Sequence, residues 1–308
     1  MLTAAVTRHR TAPATVRGRW KPPRFNPAYA FIAPSVIILG VFVLAPIVQS
    51  AWMSLHDWSA GTSHHPFVGA GNYTMLWSDD RFRNALKVTC LYTAAVGIGQ
   101  LVLGLVLALR LQRTTWYTAI ARTVFFFPFI ASLVVTGLVW QFLLNPQIGL
   151  IDGWLGKLGY GSTDWLQSTT YALPTLIVVG IWKNVGFTMV VLLAGLQAIP
   201  KELLEAATVD GASAFQRLRH VTLPALRPAI LFTAVIATVS GLQLFDLNYV
   251  LTDGGPLFHT ESVVMYLYQR GFIDFRLGYA SAIAMVLFAL ILAVSLVQLR
   301  LLRYGDDD

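Results

Sequence analysis

A polar stretch at residues 205–224, EAATVDGASAFQRLRHVTLP, lies between two long apolar segments and carries residues suited to contact with another protein. Glu205 is followed directly by Ala206 and Ala207, whose small side chains permit a second surface to approach closely. A carboxylate in this position can pair with a basic or hydrogen-bonding group of that surface. These residues would suit a close contact with a partner surface, and the alternative is an ordinary loop between two membrane spans.

The same region contains the signals that begin and end short helices. Pro200 suits a first helical position, because its missing N–H would have no helical partner there. Gly211 predicts the end of that helix, since glycine readily adopts the left-handed conformation that closes a helix. Ser213, three residues before Gln216, predicts a capping box for a second helix, and Pro224 marks the next boundary.

A lysine within an apolar run is the second residue that could do chemistry. Lys183 lies in GIWKNVGF, and a lysine deep in a bilayer is costly, so its side chain should face a bundle interior or water. One interpretation is structural, in which the side chain reaches the membrane surface or pairs with Asp246. The other is a cavity role, in which the ammonium attracts an anionic solute as a point charge. The residues alone leave both interpretations open.

The chain lacks the motifs of several common enzyme sites. It has no G-x-x-x-x-G-K-[ST] phosphate-binding loop, since Gly156-Lys157 is followed by leucine, and no Gly-x-Ser-x-Gly nucleophile elbow. Cys90 is the only cysteine, so an intrachain disulfide is excluded, and the six histidines form no metal-ligand pattern. We therefore expect no enzymatic activity, no bound metal and no ATP hydrolysis by this chain.

The composition is typical of an integral membrane protein. Of the 308 residues, 56% are apolar and 12% are charged, and six apolar runs are each long enough to cross about 30 Å of hydrocarbon as a helix. These runs cover approximately residues 29–52, 87–109, 123–144, 173–197, 225–246 and 279–299. The predicted fold is all-α, with one six-helix domain at residues 29–302, short tails at 1–28 and 303–308, and a loop at 199–224 between the fourth and fifth spans.

Basic residues account for the formal net charge of +7 and collect on one side of the predicted spans. They precede the first span, flank the second loop, surround the fourth loop and follow the last span: Arg8, Arg10, Arg17, Arg19, Lys21, Arg24, Arg110, Arg113, Arg122, Lys201, Arg217, Arg219, Arg227, Arg300 and Arg303. By the positive-inside rule, both termini and the loop at 199–224 face the cytoplasm. We expect the N-terminal tail to contact anionic membrane lipid and not nucleic acid.

The polar stretch follows the pattern E-A-A, three residues, G, nine residues, an aliphatic residue, then x-L-P. The pattern is matched by Glu205, Ala206, Ala207, Gly211, Val221, Leu223 and Pro224. It resembles the EAA loop of ABC importer permeases, with Val221 where isoleucine is commoner. The segments PFIASLVVTGLVWQFLLNP, WKNVGFTMVVLLAGLQAIPKELLEAA and FDLNYVLTDGGP look like the carbohydrate-uptake branch, which includes maltose, other sugar and glycerol-3-phosphate permeases. The resemblance covers residues 29–302.

The resemblance implies a type I importer of a bacterial cell membrane. This chain would pair with a second, similar permease, two ATP-binding subunits and an extracytoplasmic solute-binding (lipo)protein. ATP and Mg would bind the ATP-binding subunits, and this chain would bind no cofactor. The polar stretch would be the coupling helix that docks on an ATP-binding subunit. Its coupling residues would be Glu205, Ala206, Ala207, Asp210, Gly211, Leu223 and Pro224.

The resemblance to maltose-type members also implies a solute path. The matching residues are Phe129, Leu133, Lys183, Asn184, Phe187, Ser240, Gly241 and Leu244, and polar Gln243 and Asp246 extend the path. Where a sugar site would offer amides this chain has Gly241 and Leu244, which argues against a maltodextrin. A Lys183 that faces the cavity would favour an anionic solute such as glycerol-3-phosphate or a glycerophosphodiester. Phe129 and Phe187 could stack on a solute or pack in the core.

Two other classes of membrane protein stay open at this point. An ion-coupled secondary transporter for a small polar solute would need coupling carboxylates within its spans, for which Asp246 alone is poor support. A structural or receptor-like subunit without transport would leave the E-A-A spacing unexplained. Co-purification with an ATPase distinguishes both classes from an importer.

Overall fold

The computed structural model describes residues 27–159 and 161–303. Within these ranges the chain is helical, and its strand pairing is limited to one antiparallel bridge between His56 and Phe67. The predicted tails at 1–28 and 303–308 lie outside the described residues, apart from positions 27, 28 and 303 at the ends of helices. The predicted contact of the basic N-terminal tail with lipid therefore falls outside the described part of the chain.

The helices follow one another with short connections and three π-helical turns. In chain order they are α1 Pro27–Leu39, the turn Gly40–Leu44, α2 Ala45–Met53, α3 Gly71–Ser78, α4 Asp80–Arg110, α5 Trp116–Ile130, α6 Leu133–Leu143, α7 Leu150–Lys157, α8 Ala172–Gln197, α9 Lys201–Val209, α10 Ala214–Arg217, the turn Leu218–Thr222, α11 Leu223–Ala225, α12 Arg227–Leu242, α13 Asp246–Leu251, α14 Val263–Tyr268, the turn Gln269–Ile273, and α15 Leu277–Arg303.

Four helical segments are long and apolar enough to cross a membrane alone: Phe31–Met53, α4, α8 and Leu277–Leu301. Two further helix pairs are long and apolar enough only when taken together, and each is bent at a short break, by 102° between α5 and α6 and by 67° between α11 and α12. The all-α membrane fold is thus confirmed. The third and fifth predicted spans, however, are not single straight helices, because the first of these breaks divides the run 123–144 and the second falls within the run 225–246.

The chain divides into two compact units, Met1–Val48 and Gln49–Asp308. The described part of the first unit consists of α1, the following π-helical turn and the start of α2. The second unit contains the remaining helices and the whole of the candidate site.

In the second unit α8 is the central helix. Its buried apolar residues include Leu176, Val179, Met189 and Leu192, which recur at helical spacing. α4 and α5 both pack along α8, and α12 packs on α4 and reaches α8. The four helices α4, α5, α8 and α12 therefore surround a shared interior, and this interior holds the candidate site.

The polar stretch forms the helix, turn and second helix that its residues predict. α9 begins at Lys201, so Pro200 is its N-cap and not the predicted first helical residue, and Gly211 has a φ of +77°, in the left-handed region. The Ser213 backbone N–H donates to Gln216 Oε1 at 2.7 Å, and the Gln216 N–H donates to Ser213 Oγ at 3.3 Å. These two hydrogen bonds are the predicted capping box, so the local structure of this stretch is confirmed.

Candidate functional site

Two adjoining cavities lie between α4, α5, α8 and α12. We call the one of about 360 Å³ the large chamber and the one of about 150 Å³ the small chamber. They share four lining residues, Tyr92, Phe129, Asn184 and Ser240, one from each of the four helices. The two chambers therefore adjoin each other at these four side chains.

The structure brings together all ten residues predicted for the solute path. Eight of them line the large chamber: Phe129, Leu133, Lys183, Asn184, Ser240, Gln243, Leu244 and Asp246. The small chamber adds Phe187 and Gly241. They converge because α5, α8 and α12 pack around one interior, and their contact with a solute stays a prediction.

Lys183 lines the large chamber, but its ammonium group is held by the end of a helix. The residue is 4% exposed, and Nζ donates to the carbonyl oxygens of Pro128 at 2.8 Å, Phe129 at 3.3 Å and Ala131 at 2.7 Å. An ammonium has three N–H donors, so all three have an acceptor here. The carbonyl groups at the end of α5 lack N–H partners within the helix. Lys183 donates a hydrogen bond to each of these three carbonyl oxygens.

This geometry favours the structural interpretation of Lys183, with partners that the sequence did not indicate. Lys183 forms no ion pair with Asp246 or any other carboxylate in the described ranges. Its charge instead complements the negative end of the α5 dipole. The three carbonyl contacts occupy the N–H donors of Lys183, and its attraction of an anionic solute stays a prediction.

The break between α5 and α6 is fixed by close contact with α8. Pro128 has no N–H to continue the helical hydrogen bonds, and Ala131 has a ψ of 144°, which is extended. At Gly186 the two helices approach so closely that a Cβ atom would lie 2.0 Å from the Phe125 carbonyl oxygen. One face of α8 thus contributes a glycine where the helices touch and Lys183 where α5 ends, and together they position the break.

The chambers offer amide, hydroxyl and aromatic groups. Asn184 Nδ2 donates to the α8 backbone at 2.9 Å, which leaves its Oδ1 as an acceptor. Ser240 and Gln243 are exposed and line the large chamber. The rings of Phe129 and Phe187 stack with centroids 4.8 Å apart, while Phe129 keeps 38% of its surface exposed. The two phenylalanines therefore pack on each other, and Phe129 also presents an open face.

α4 supplies three lining residues that the sequence analysis did not identify, and two of them, Tyr92 and Gln100, carry polar groups. With Val96 they recur every four residues, so they share one face of the helix. Tyr92 is 4% exposed and Gln100 is 5% exposed. The sequence does contain an indication of this role, because polar residues inside an apolar span are candidates for the lining of an interior path.

The predicted coupling residues lie on an accessible surface. Those of α9 and its turn are exposed or half-buried: Glu205, Ala206, Ala207, Asp210 and Gly211. Glu205 forms no ion pair within the described ranges, so α9 presents an unpaired carboxylate beside small side chains. Leu223 and Pro224 follow in α11, just before the bend into α12. Contact of these residues with an ATP-binding subunit stays a prediction.

A polar cluster that the sequence analysis did not identify joins the start of α4 to α14 and α15. Asp79 accepts hydrogen bonds from the hydroxyl groups of Tyr266 and Tyr279, and the second is 2.7 Å long. Arg81 donates to both carboxylate oxygens of buried Glu261, at 2.7 and 2.9 Å. Burial raises the pKa of the Asp79 carboxyl, but the two tyrosines and two backbone N–H groups of α4 outweigh it, and the pKa lies below its ordinary value.

Comparison with known proteins identifies relatives over most of the chain. Residues 100–303 match the family model described as binding-protein-dependent transport system inner membrane component. The chain is 34% identical to the probable ABC transporter permease protein YurN of Bacillus subtilis, covering 91% of this chain and 97% of that protein. It is 33% identical to the trehalose/maltose transport system permease protein MalF of Thermococcus litoralis, covering 91% of this chain and 94% of that protein. It is 31% identical to the sn-glycerol-3-phosphate transport system permease protein UgpA of Agrobacterium fabrum, covering 88% of this chain and 93% of that protein.

Solved structures share the fold. A chain of a bacterial ABC transporter involved in the import of the acidic polysaccharide alginate matches with a TM-score of 0.78 at 25% identity, covering 90% of this chain and 95% of that chain. A chain of an alginate transporter in complex with its pentasaccharide-bound periplasmic protein matches with the same TM-score at 23% identity, covering 88% and 92%. The helical arrangement described above is therefore one already seen in importers.

Proposed function

The chain belongs to the family of binding-protein-dependent transport system inner membrane components, and from this premise we propose that it forms half of the translocation path of an ATP-driven importer for a neutral carbohydrate. The observation that carries the proposal is the pair of chambers in which the predicted path residues meet. The relatives are ABC transporter permeases, so the chain is a transporter subunit and not an enzyme, and the ion-coupled alternative has no support.

The lining of the chambers favours a neutral solute rich in hydroxyl groups. Among the described residues that line them Lys183 is the only cation, and its N–H groups already have carbonyl acceptors. Asp246 adds an exposed carboxylate to the large chamber, and this carboxylate opposes a phosphate group. Asn184, Gln243 and Ser240 can hydrogen-bond sugar hydroxyls. A trehalose/maltose permease among the relatives supports the same class of solute.

The partners are inferred from the same premise. An extracytoplasmic solute-binding protein would deliver the solute, a second permease would complete the path, and two ATP-binding subunits would hold ATP and Mg. This chain would bind no cofactor. The alginate importer solved with its periplasmic protein supports the first of these partners. ATP binding would draw the coupling helices together and bias the permease pair between two orientations.

The proposed orientation places both termini and the polar stretch in the cytoplasm of a bacterial cell. The basic residues that flank the spans support it, since Arg110, Arg122, Arg217 and Arg227 all lie on the side of the polar stretch. In this orientation α4 and α8 both run from the outer surface inward, and the small chamber lies nearer the cytoplasm than the large one.

The test is transport by the whole complex. An affinity tag on this chain should recover a second permease and ATP-binding subunits from the native host. After reconstitution with the solute-binding protein, neutral di- and oligosaccharides should stimulate ATP hydrolysis and enter the vesicles. If glycerol-3-phosphate or another phosphate-bearing solute is transported best, the neutral assignment is wrong. If no ATPase is recovered and no solute enters, the importer itself is contradicted.

A further inference from the structure

The small chamber contains a buried amide that the residues of the proposed solute path do not explain. Gln100 is 5% exposed and lines this chamber, and its amide makes no hydrogen bond within the described part of the chain. The amide is not among the fully enclosed polar atoms that lack a partner, so it faces the space of the chamber, where water or a ligand can hydrogen-bond it. The site is therefore suited to a ligand or water that supplies the missing partners.

The position of Gln100 separates it from the large chamber. It lies eight residues beyond Tyr92 on the same face of α4, which is about 12 Å along the helix. Tyr92 lines both chambers, whereas Gln100 lines only the small one. A solute that contacts Gln100 must therefore have passed the junction formed by Tyr92, Phe129, Asn184 and Ser240.

The rest of the lining shows what would fit. Thr188 and Thr233 add hydroxyl groups, and the Thr233 hydroxyl already donates to the α12 backbone at 2.9 Å, so it can still accept. Ile236 and Ala237 add apolar surface. The volume of about 150 Å³ is less than half that of the large chamber, so only a small part of an oligosaccharide can enter at one time.

We propose that the small chamber is a transit subsite, in which the Gln100 amide binds a hydroxyl group of one sugar unit after that unit leaves the large chamber. This inference rests on the proposed function. An amide both donates and accepts, so it can match a hydroxyl group in either role. Gln100 would then accelerate the passage of solute from the junction towards the cytoplasm and contribute little to its first binding.

The experiment compares Gln100→Leu, Gln100→Asn and a control, Gln141→Leu, in the reconstituted importer. Gln141 is an exposed glutamine of α6 that lines neither chamber. For Gln100→Leu we expect kcat of uptake to fall by roughly tenfold with KM changed by less than about twofold, because the lost interaction follows initial binding. Gln100→Asn, which keeps the amide, should restore part of kcat, and Gln141→Leu should match the unsubstituted chain.

A deoxy analogue of the transported sugar supplies the readout that a purely structural role would not change. If Gln100 binds a hydroxyl group, Gln100→Leu should lower kcat less for the analogue that lacks this hydroxyl than for the complete sugar. Unchanged kcat in Gln100→Leu, or an equal deficit for every analogue, overturns the transit subsite. Failure of the proposed function is distinct, because the unsubstituted complex would then transport none of these sugars.

Discussion

The ammonium nitrogen of Lys183 lies 2.8 Å from the carbonyl oxygen of Pro128, on a helix that precedes it by 55 residues. This contact joins a proline of one apolar span to a lysine of another. The carbonyl groups at the end of α5 have no N–H partner within the helix, and the buried lysine needs acceptors for its three N–H groups. Each therefore removes the unfavourable consequence of the other, and the break beside the large chamber is held in place.

Lys183→Met should destabilise the importer and impair transport of all solutes alike. The substitution leaves three carbonyl oxygens without their donor, and a buried group in that state costs about 1–3 kcal/mol. We expect a lower melting temperature of the purified complex and equal fractional losses for neutral and phosphate-bearing solutes. Lys157→Met, at an exposed lysine of α7, is the control. Selective loss of a phosphate-bearing solute at an unchanged melting temperature would return Lys183 to an anion-binding role.

The coupling surface is tested by Gly211→Val and Glu205→Lys. A Cβ atom at Gly211 would meet no other atom within 4 Å, so valine is disfavoured by the left-handed φ and not by crowding, at about 1–2 kcal/mol. Both variants should insert normally into the membrane, associate weakly with the ATPase and lose solute-stimulated ATP hydrolysis.

Two matched variants control the coupling test. Asparagine tolerates the left-handed conformation, so Gly211→Asn should retain most coupling. Glu202→Lys reverses another exposed carboxylate of α9 that lies outside the E-A-A pattern, and it should have the smaller effect. Normal coupling in both Gly211→Val and Glu205→Lys would show that the polar stretch is only a connector.

The orientation is tested with single cysteines in a Cys90→Ser background. A cysteine at 211 should react with an impermeant reagent only after the membrane is opened, whereas cysteines at Ser63 and Gly161 should react in intact cells. Asn72 is a poorer outer reporter, because it is buried and donates to the Ser54 carbonyl at 2.8 Å. External labelling at 211 would reverse the proposed topology.

The cluster around Asp79 predicts a pH dependence of stability. Its pKa in the folded protein lies below the ordinary value of 3.8, so its stabilising contribution is fully present above 3.8 and is lost as the pH falls below 3.8 and through the lower pKa of the folded state. Asp79→Asn should lower the melting temperature at neutral pH and flatten its decline in acid. Asp80→Asn, at a carboxylate whose side chain is 92% exposed, should leave that decline unchanged. The same acid profile in both variants would contradict this assignment.

The polar stretch could be predicted in detail because its signals are local. The glycine turn at Gly211 and the capping box of Ser213 and Gln216 depend on residues at most a few positions apart. The helical content of the apolar runs could be predicted for the same reason. The chamber residues of α5, α8 and α12 came instead from resemblance to a family, since no local pattern relates three separate spans.

The partners of Lys183 could not be predicted from the chain. Its acceptors lie 52 to 55 residues earlier, and they come within reach only because Gly186 lets α8 touch the backbone of α5. The sequence showed a proline in one span and a charge in another, but not that the two would meet. Gln100 could not be predicted for a different reason. A neutral amide is less costly in an apolar span than a charge, so its presence is a weaker indication of function.

A bend of 67° at Leu226 separates α12 from the helical end of the polar stretch. The two segments can therefore act as the long and short arms of a lever. Leu226 is fully buried and packs against α8 near Gly195, which gives the lever a pivot. The long arm has 16 residues, or about 24 Å, and carries Ser240 near its far end. A tilt of about 10° would displace that end by roughly 4 Å, more than the diameter of a water molecule. A small rotation of the polar stretch would thereby be magnified into a larger displacement at the junction between the chambers.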